Sequence, residues 1–312
     1  MGGSRRSERR LFLAVINPAT RIDATRVVAA LYRHAPPDVD LEVCFTGPDL
    51  SVAQVISSRL SEASVVIACG GDGTVSAVVT ALGDRDLPVG VVPCGSTNMT
   101  ARENRIPIDV DAAARLIFGP HALERIDAGT CGERRVLHIA GAGLDSRMFV
   151  AAKAAWKRRA GWLAYLPAAV HGLLAPPVVF RIVAERGTVE LQSSLVLIAN
   201  GGGLIRRRLT VFPDIRYDDG FLDVVAFSAM SWAQKARTAL RFLTRSLDRS
   251  PFVIHLRARC VRLEAEPPIP YELDGEVVGR TPATFGIIPK AVSLIVPPRK
   301  GTAVAAPGAK TC

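Results

Sequence analysis

The sequence predicts two domains of different class: an N-terminal doubly wound α/β domain and a C-terminal antiparallel β-sandwich. Up to about residue 125, apolar strand patterns alternate with helix patterns, which is typical of a parallel sheet covered by helices. Beyond that point, successive segments alternate apolar and polar residues, as half-buried antiparallel strands do. The 312 residues are also enough for two domains of ordinary size.

The N-terminal domain is predicted to span residues 1–125. Residues 11–16 and 64–69 form nearly continuous apolar runs, which are typical of central parallel strands buried on both faces. Predicted strands cover residues 11–16, 40–45, 64–69 and 88–92. Predicted helices cover residues 22–34, 49–61, 75–82 and 109–118, and Asp49 is the expected N-cap of the second helix.

The C-terminal domain is predicted to span residues 126–297, followed by a loose tail over 298–312 that is rich in Ala, Gly and Pro. Predicted strands cover residues 135–140, 178–184, 188–199, 221–227, 252–258, 260–266, 271–273, 284–288 and 292–296. Two helix patterns, at about 147–174 and 231–247, interrupt them.

The formal net charge of +10 is carried by the second half of the chain. The first 125 residues contain 13 Arg, no Lys and 14 acidic residues, a net charge of −1, and the remainder carries +11. Because the first lysine is Lys153, the first domain cannot supply the phosphate-binding lysine of a P-loop or of a protein kinase strand. The basic excess indicates an anionic partner for the second half, either acidic lipid or nucleic acid.

Two polar glycine loops follow neighbouring predicted strands. The first is Gly70-Gly71-Asp72-Gly73-Thr74, which a helix pattern follows, and the second is Gly95-Ser96-Thr97-Asn98. Glycines let backbone N–H groups come close to an anion, and a helix N-terminus adds positive potential. Each loop alone also fits a plain tight turn, but the pair at one edge of a parallel sheet favours a nucleotide crevice.

The string GGDGT at residues 70–74, followed about 20 residues later by the loop GSTN, resembles the diacylglycerol kinase catalytic family. That family includes sphingosine and ceramide kinases. The segments DDGFLDV at 218–224 and LDGE at 273–276 resemble two further family segments and occur in family order. The resemblance covers residues 11–297. NAD kinases share GGDGT, but the last two segments favour lipid kinases.

The resemblance implies an ATP site, a catalytic group and a Mg²⁺ site. The catalytic residues would be Asp274, as general base on a lipid hydroxyl, with Glu276 close by and Asp72. The nucleotide contacts would come from Gly70, Gly71, Asp72, Gly73, Thr74, Val75, Ser76, Ser96, Asn98 and Thr46. The Mg²⁺ ion would be held by Asp219 and the backbone carbonyls of Arg216 and Phe221.

Elementary chemistry agrees with this assignment, although the residues alone permit a simpler one. Phosphoryl transfer needs positioning, charge neutralisation and a group that orients the nucleophile, and Mg²⁺ prefers oxygen ligands. Asp274-Gly275 and Asp219-Gly220 are, however, also ordinary turn signals. Met99 stands where the family often has aspartate, which keeps a non-catalytic nucleotide- or lipid-binding regulator as an alternative.

The segment 153–165 contains two of the three tryptophans and four basic residues. Basic and aromatic residues on one short amphipathic segment predict contact with an anionic membrane surface, whereas a helix with a solvated basic face is the simpler alternative. A nucleic-acid partner is not expected, because the chain has few aromatic residues and no platform of aromatic and basic residues. The N-terminal apolar run at residues 11–16 is too short for a signal peptide, and no run is long enough for a membrane span, so we expect a cytoplasmic protein that associates peripherally with the membrane.

These observations predict an ATP- and Mg²⁺-dependent lipid kinase acting on diacylglycerol or a sphingoid lipid such as ceramide. An NAD kinase is the enzymatic alternative.

Overall fold

The computed structural model describes residues 9–143, 177–201, 203–206, 209–210, 215–229, 231–244 and 246–299. The chain forms two compact units. The first is built from the chain up to Arg125 and again from Val292 onward, and the second is the continuous segment Ile126–Ala291. Within the described residues, no helix is both long and apolar enough to cross a bilayer.

The first unit is organised around a parallel sheet. Its first four strands in the chain are β1 (Arg10–Ile16), β2 (Val39–Phe45), β3 (Ala63–Gly70) and β4 (Pro88–Pro93). They lie in the order β2-β1-β3-β4, with all three pairings parallel. Beside β4 lies the end of the last strand of the chain, where Ser293 and Leu294 pair in parallel with Pro88 and Val89. Residues 11–16 of β1 are all buried, as their continuous apolar run predicts.

Five helices accompany this sheet: α1 (Ala24–His34), α2 (Val52–Ile56), α3 (Asp72–Leu82), α4 (Met99–Glu103) and α5 (Val110–Phe118). Asp23 caps α1 and Asp109 caps α5, each by accepting a backbone N–H of the first turn. Helices α1 and α5 bury Leu31 and Ile117 in one core with the central strands. The carboxyl ends of β1, β3 and β4 therefore lie at one edge, where α3 and α4 begin.

The second unit contains the strands β5 (Ala122–Cys131), β6 (Arg134–Val136), β7 (Ile139–Ala142), β8 (Val178–Ala184), β9 (Gly187–Ser193), β10 (Leu195–Ala199), β11 (Gly203–Arg206), β12 (Leu209–Thr210), β13 (Leu222–Phe227), β14 (Val253–Ala258), β15 (Cys260–Glu266), β16 (Pro270–Leu273), β17 (Glu276–Arg280) and β18 (Ala283–Val296). β5 begins just before the boundary between the units at Arg125, and β18 ends beyond the second boundary at Val292. The described helices of this unit are α6 (Trp232–Leu243) and a 3₁₀ turn at Leu247–Arg249.

Two sheets of the second unit pack face to face. One has the order β9-β8-β15-β18, with β5 beside β18, and the other has the order β14-β13-β10-β7-β16-β17. The pairings along both strand orders are antiparallel, as the alternating pattern predicts. Phe180 and Leu263 of the first sheet share one core with Val196, Val224 and Leu273 of the second. The predicted fold class, an α/β domain followed by an antiparallel β-sandwich, is confirmed.

Several predicted boundaries are wrong. The helix predicted over 49–61 covers only Val52–Ile56, and its N-cap is Ser51, in a capping box with Gln54, instead of Asp49. The strand predicted over 188–199 is two strands, β9 and β10, which belong to different sheets. The separate strands predicted over 284–288 and 292–296 are one strand, β18, whose end from Val292 belongs to the first unit.

The helix predicted over 231–247 ends at Leu243. The helix predicted over 147–174 and most of the tail over 298–312 lie outside the described residues.

Candidate functional site

The first glycine loop joins β3 to the N-terminus of α3. Gly71 is the N-cap of α3 and makes no side-chain cap bond, and its carbonyl accepts the N–H groups of Thr74 and Val75 at 2.9 and 3.2 Å. Gly70 has no room for a side chain, because a Cβ there would lie 2.2 Å from the Thr74 hydroxyl. Gly73 is exposed in the first turn of α3, where N–H groups have no acceptor within the helix. The loop thus presents backbone and a helix N-terminus, which suit an anion.

The second glycine loop touches the first directly. A Cβ on Gly95 would lie 2.5 Å from the Gly71 Cα atom, so only glycine permits this approach. Asn98 is buried, adopts a left-handed conformation with φ of 49°, and braces the loop through both ends of its side-chain amide. Its Oδ1 accepts the Gly95 N–H at 2.9 Å, and its Nδ2 donates to the Gly95 carbonyl at 3.0 Å. Asn98 therefore shapes the loop.

The carboxylate of Asp72 ties the two loops together. It accepts the Thr97 hydroxyl at 2.8 Å, the Thr100 N–H at 3.0 Å and the Thr100 hydroxyl at 3.3 Å. Its negative charge is thereby directed to the start of α4, where a helix N-terminus also favours it. The sequence analysis missed the partner Thr100 and the short helix α4, whose pattern of five residues is too brief to be recognised.

The remaining residues predicted to contact a nucleotide lie at the same edge of the sheet. Thr46 follows β2 and donates its N–H to the Ile16 carbonyl at 3.0 Å. Ser96 is half-buried in the second loop. Thr74, Val75 and Ser76 are buried, and Val75 belongs to the core of the unit. The structure thus brings the predicted nucleotide residues to one place, and it shows that three of them have their side chains turned away from solvent.

Asp274 occupies a two-residue turn between β16 and β17 in the second unit. Asp274 and Gly275 have φ values of 45° and 84°, as a hairpin of this length requires. The Asp274 carboxylate accepts three backbone N–H groups, from Leu137 at 3.0 Å, His138 at 3.0 Å and Ile139 at 3.1 Å. The predicted catalytic carboxylate is therefore fixed rigidly on the connection between β6 and β7.

Glu276 is the first residue of β17, two positions beyond Asp274. Its side chain is largely exposed, and one carboxylate oxygen lies 3.5 Å from the Arg134 guanidinium. An exposed pair of this kind contributes little to stability.

A buried carboxylate that the sequence analysis missed, Asp127, anchors the turn that carries Asp219. Asp127 accepts the N–H groups of Gly220 and Lys290, both at 2.7 Å, and its own N–H donates to the Tyr217 carbonyl at 2.7 Å. Asn200 donates its Nδ2 to the Asp127 carbonyl at 3.0 Å. No local pattern in the sequence could have found Asp127, because its partners are distant in the chain.

An arginine side chain, Arg257, pairs with the carboxylate at the Asp219 turn. The Asp219 carboxylate pairs with the Arg257 guanidinium and accepts the Phe221 N–H at 3.1 Å, whereas Arg216 pairs with Asp218 at 2.9 Å. Arg257 also lies 3.5 Å from Asp223 and covers the Phe221 ring at 4.8 Å. Burial raises the pKa of Asp219, and the Arg257 charge opposes that rise.

These contacts bear on the predicted Mg²⁺ site. A guanidinium already neutralises the one carboxylate in the predicted set of Asp219, Arg216 and Phe221. Among the described residues, no group of three or more His, Cys, Asp or Glu side chains is arranged to hold a metal. The residues at this turn do not fit a resident Mg²⁺ ion, since Arg257 supplies the charge that the ion would bring.

The segment 153–165, predicted to contact a membrane, lies outside the described residues.

Comparison with known proteins agrees with this arrangement. Residues 12–131 match the diacylglycerol kinase catalytic domain, and residues 138–296 match the YegS C-terminal NAD kinase beta sandwich-like domain. The two matches follow the two predicted classes of domain, and together they define a two-domain kinase. The chain belongs to the diacylglycerol kinase catalytic-domain family, whose members are lipid kinases, and the predicted family is confirmed.

Individual relatives span most of the chain. A diacylglycerol kinase of Bacillus subtilis is 28% identical over 250 residues, which are 78% of this chain and 81% of that protein. An uncharacterized protein of Synechocystis is 26% identical over 301 residues, which are 91% of this chain and 69% of that protein. A crystal structure of a diacylglycerol kinase from Bacillus anthracis superposes with a TM-score of 0.67 at 17% identity, covering 93% of this chain and 97% of that chain. At that identity the superposition supports the fold alone.

Proposed function

We propose that this lipid kinase transfers the γ-phosphoryl group of ATP to a hydroxyl of diacylglycerol or of a sphingoid lipid such as ceramide, at a membrane surface. The observation that carries the proposal is the paired glycine loop at the carboxyl edge of the parallel sheet, in a chain of the diacylglycerol kinase family. The loop has the chemistry of a phosphate site without a lysine, because it offers backbone and the N-terminus of α3.

In the proposed binding mode, the ATP phosphates lie against Gly71, Gly73 and Ser96. The carboxylate of Asp72 would repel them if it faced them, but its oxygens accept hydrogen bonds from the second loop. Asp72 is therefore a positioning residue that keeps the two loops at contact distance. The substrate is the Mg²⁺ complex of ATP, so the divalent ion would accompany the nucleotide.

The proposed chemical step is an in-line displacement. The lipid hydroxyl oxygen forms a bond to the γ-phosphorus while the bond from that phosphorus to the β–γ bridging oxygen breaks, and ADP leaves with the electron pair. The hydroxyl proton passes to the Asp274 carboxylate, which acts as general base. Three backbone N–H groups hold this carboxylate in one orientation, and such positioning is the main contribution a protein makes to phosphoryl transfer.

The family and the charge support the proposed acceptor and place of action. A diacylglycerol kinase is among the relatives, and diacylglycerol is a lipid held in bilayers, so the proposed reaction takes place at a lipid surface. The net charge of +11 beyond residue 125 would attract anionic headgroups. The cytoplasmic face of a membrane, with segment 153–165 contributing to contact, is the proposed location.

The decisive experiment offers the purified chain labelled ATP together with diacylglycerol, ceramide, sphingosine, monoacylglycerol and NAD in parallel vesicle or solution assays. Product mass identifies the acceptor. We expect a lipid monophosphate and no phosphorylated NAD. NAD is included because the second domain matches a family described as NAD kinase-like. Phosphorylation of NAD alone would replace the proposal, and ATP binding without any product would favour a regulator.

A further inference from the structure

The helix α6 differs from an ordinary surface helix in the composition of its outer face. Its inner side is anchored, because Thr238 is buried and Phe242 packs on the cluster that contains Leu195, Val225 and Leu247. A helix in this position normally turns polar residues outward. Here the outer face is apolar.

Trp232, Ala236 and Leu240 follow one another at four-residue spacing and are all exposed. Trp232 is 75% exposed and Leu240 is 60% exposed. No other tryptophan lies in the described residues, and a tryptophan left this open is unusual because the ring carries a large apolar area. Ser231 and Gln234 form a capping box, so the helix that carries this face is well defined at its start.

Basic residues flank the apolar face on both sides. Arg237 and Arg241 follow one edge and Lys235 follows the other, with the Lys235 ammonium 5.9 Å from the centre of the Trp232 ring. The helix Trp232–Leu243 contains no acidic residue. An apolar face bordered by cations is suited to a bilayer surface with anionic headgroups, where the ring and the leucine enter the boundary region and the cations meet phosphates.

We infer that α6 docks this protein onto anionic membranes, lying in the plane of the headgroups with Trp232 and Leu240 inserted. At 12 residues the helix is too short to span a bilayer, so it lies on the surface. A second copy of the chain is a weaker fit, because a two-fold contact through the same face would bring Arg237 and Arg241 towards their own copies. Docking through α6 is inferred from the helix itself, and only the biological purpose of that docking rests on the proposed lipid kinase function.

The test measures binding of the full chain, without ATP, to large vesicles of phosphatidylglycerol and phosphatidylcholine in a 3:7 ratio and to vesicles of phosphatidylcholine alone. We expect clear sedimentation with the anionic vesicles and little with the neutral ones. The double variant W232A/L240A should lower the partition coefficient by at least about tenfold, because two large apolar side chains no longer enter the membrane. R237Q/R241Q should lower it by about tenfold on anionic vesicles only.

Tyr32→Ala is the matched control, because Tyr32 is an exposed aromatic residue on α1 of the other unit, and it should change binding by less than about twofold. Trp232, Leu240, Arg237 and Tyr32 are exposed and Arg241 is half-buried, so circular dichroism should show the variants at these positions folded. In a W156F/W162F background, Trp232 is the sole tryptophan, and its emission should move to shorter wavelength on anionic vesicles.

Unchanged vesicle binding in W232A/L240A would overturn the inference and assign docking to another segment. A dimer in sedimentation velocity that W232A/L240A converts to monomer would overturn it in favour of a contact between copies. The vesicle assay contains no ATP, so it tests docking independently of the proposed function. Vesicle binding by a chain that phosphorylates no lipid would contradict the proposed function and support docking through α6. Lipid phosphorylation in detergent without vesicle binding would support the proposed function and contradict docking.

Discussion

The glycine-loop cluster and the Asp274 turn place a carboxylate in opposite ways. Asp72 receives donors from Thr97, on the loop after the neighbouring strand, and from Thr100, in α4, which lie 25 and 28 positions away. Asp274 receives donors from residues 137–139, more than 130 positions earlier in the chain. The first carboxylate joins two loops that one sheet brings together, and the second joins two strands that only the folded sandwich brings together. A short motif can therefore mark a carboxylate that joins segments close in the chain, here called a local clasp, or one that joins segments far apart in the chain, here called a long-range clasp.

The largest effect is expected from Asp274→Asn, which tests whether the carboxylate of the long-range clasp also acts as the general base. The amide lacks the proton-accepting capacity of the carboxylate, so turnover should fall by about 10²-fold or more. ATP affinity, measured by calorimetry, should stay within about threefold, since the proposed phosphate site lies in the other unit.

Asp127→Asn is the matched control for that loss, because Asp127 is a buried carboxylate that also holds backbone N–H groups. Both variants should lose about 1–3 kcal/mol of unfolding free energy. Turnover per folded molecule should fall steeply only for Asp274→Asn. Equal losses of turnover in the two variants would leave Asp274 a purely structural role.

Gly95→Ala should break the local clasp itself. The added Cβ would lie 2.5 Å from the Gly71 Cα atom, and neither backbone can move without disturbing its strand. We expect destabilisation of about 3 kcal/mol by chemical denaturation and loss of measurable ATP binding. Gly47→Ala, where the nearest atom would lie 4.0 Å away, should stay within about 0.5 kcal/mol of the wild-type protein. Normal ATP binding in Gly95→Ala would contradict the proposed phosphate site.

A smaller effect is expected from Thr97→Val, which removes one donor from Asp72 and keeps the shape of the side chain. The lost hydrogen bond, 2.8 Å long, should lower stability by about 1 kcal/mol and raise the KM for ATP several-fold. Thr97→Ser retains the hydroxyl and should restore both values. If Thr97→Val changed stability but not the KM, the clasp would be structural and unrelated to nucleotide binding.

The smallest expected effect concerns the turn at Asp219. Burial raises the pKa of this carboxyl above its ordinary value of 3.8, so the folded protein holds its proton more tightly than the unfolded chain does. This contribution favours folding below the ordinary pKa and is lost as the pH rises through the raised one. Because the side chain is partly open to solvent, the change should be well under about 1 kcal/mol.

The unfolding free energy of the wild-type protein minus that of Asp219→Asn should therefore fall as the pH is raised from 3 to 7. No change in this difference would show that the pKa of Asp219 is the same in the folded and unfolded protein, because the Arg257 charge offsets the effect of burial completely.

Helices and strands whose structure is set by neighbours in the chain could be predicted from the sequence. Strands β1 to β4 and helices α1 and α5 follow from apolar periodicity. Prediction from the sequence failed where contacts between distant segments of the chain determine the structure. The pattern over 188–199 reads as one strand, because alternation cannot show that the chain passes from one sheet to the other between β9 and β10.

The same division applies to the candidate site. The glycine loops and the turn at Asp274 are visible as short strings, and the structure keeps each at a strand end. Asp127 and Arg257 carry no local signal, because each is one charged residue within a strand, β5 and β14 respectively. Their partners become neighbours only through tertiary pairing, so a single sequence could not reveal that an arginine stands where a metal ion was expected.

The strand β18 has a consequence for how the protein is made. Its final residues pair with β4, and Ile295 is buried in the core of the first unit. A ribosome that has released only the first 125 residues has therefore not yet supplied one strand and one core side chain of that unit. The first unit must wait for residues 292–296 before its sheet is complete. During synthesis, the continuous segment Ile126–Ala291 leaves the ribosome before those residues do, so the unit that begins later in the sequence is the first to have all of its residues.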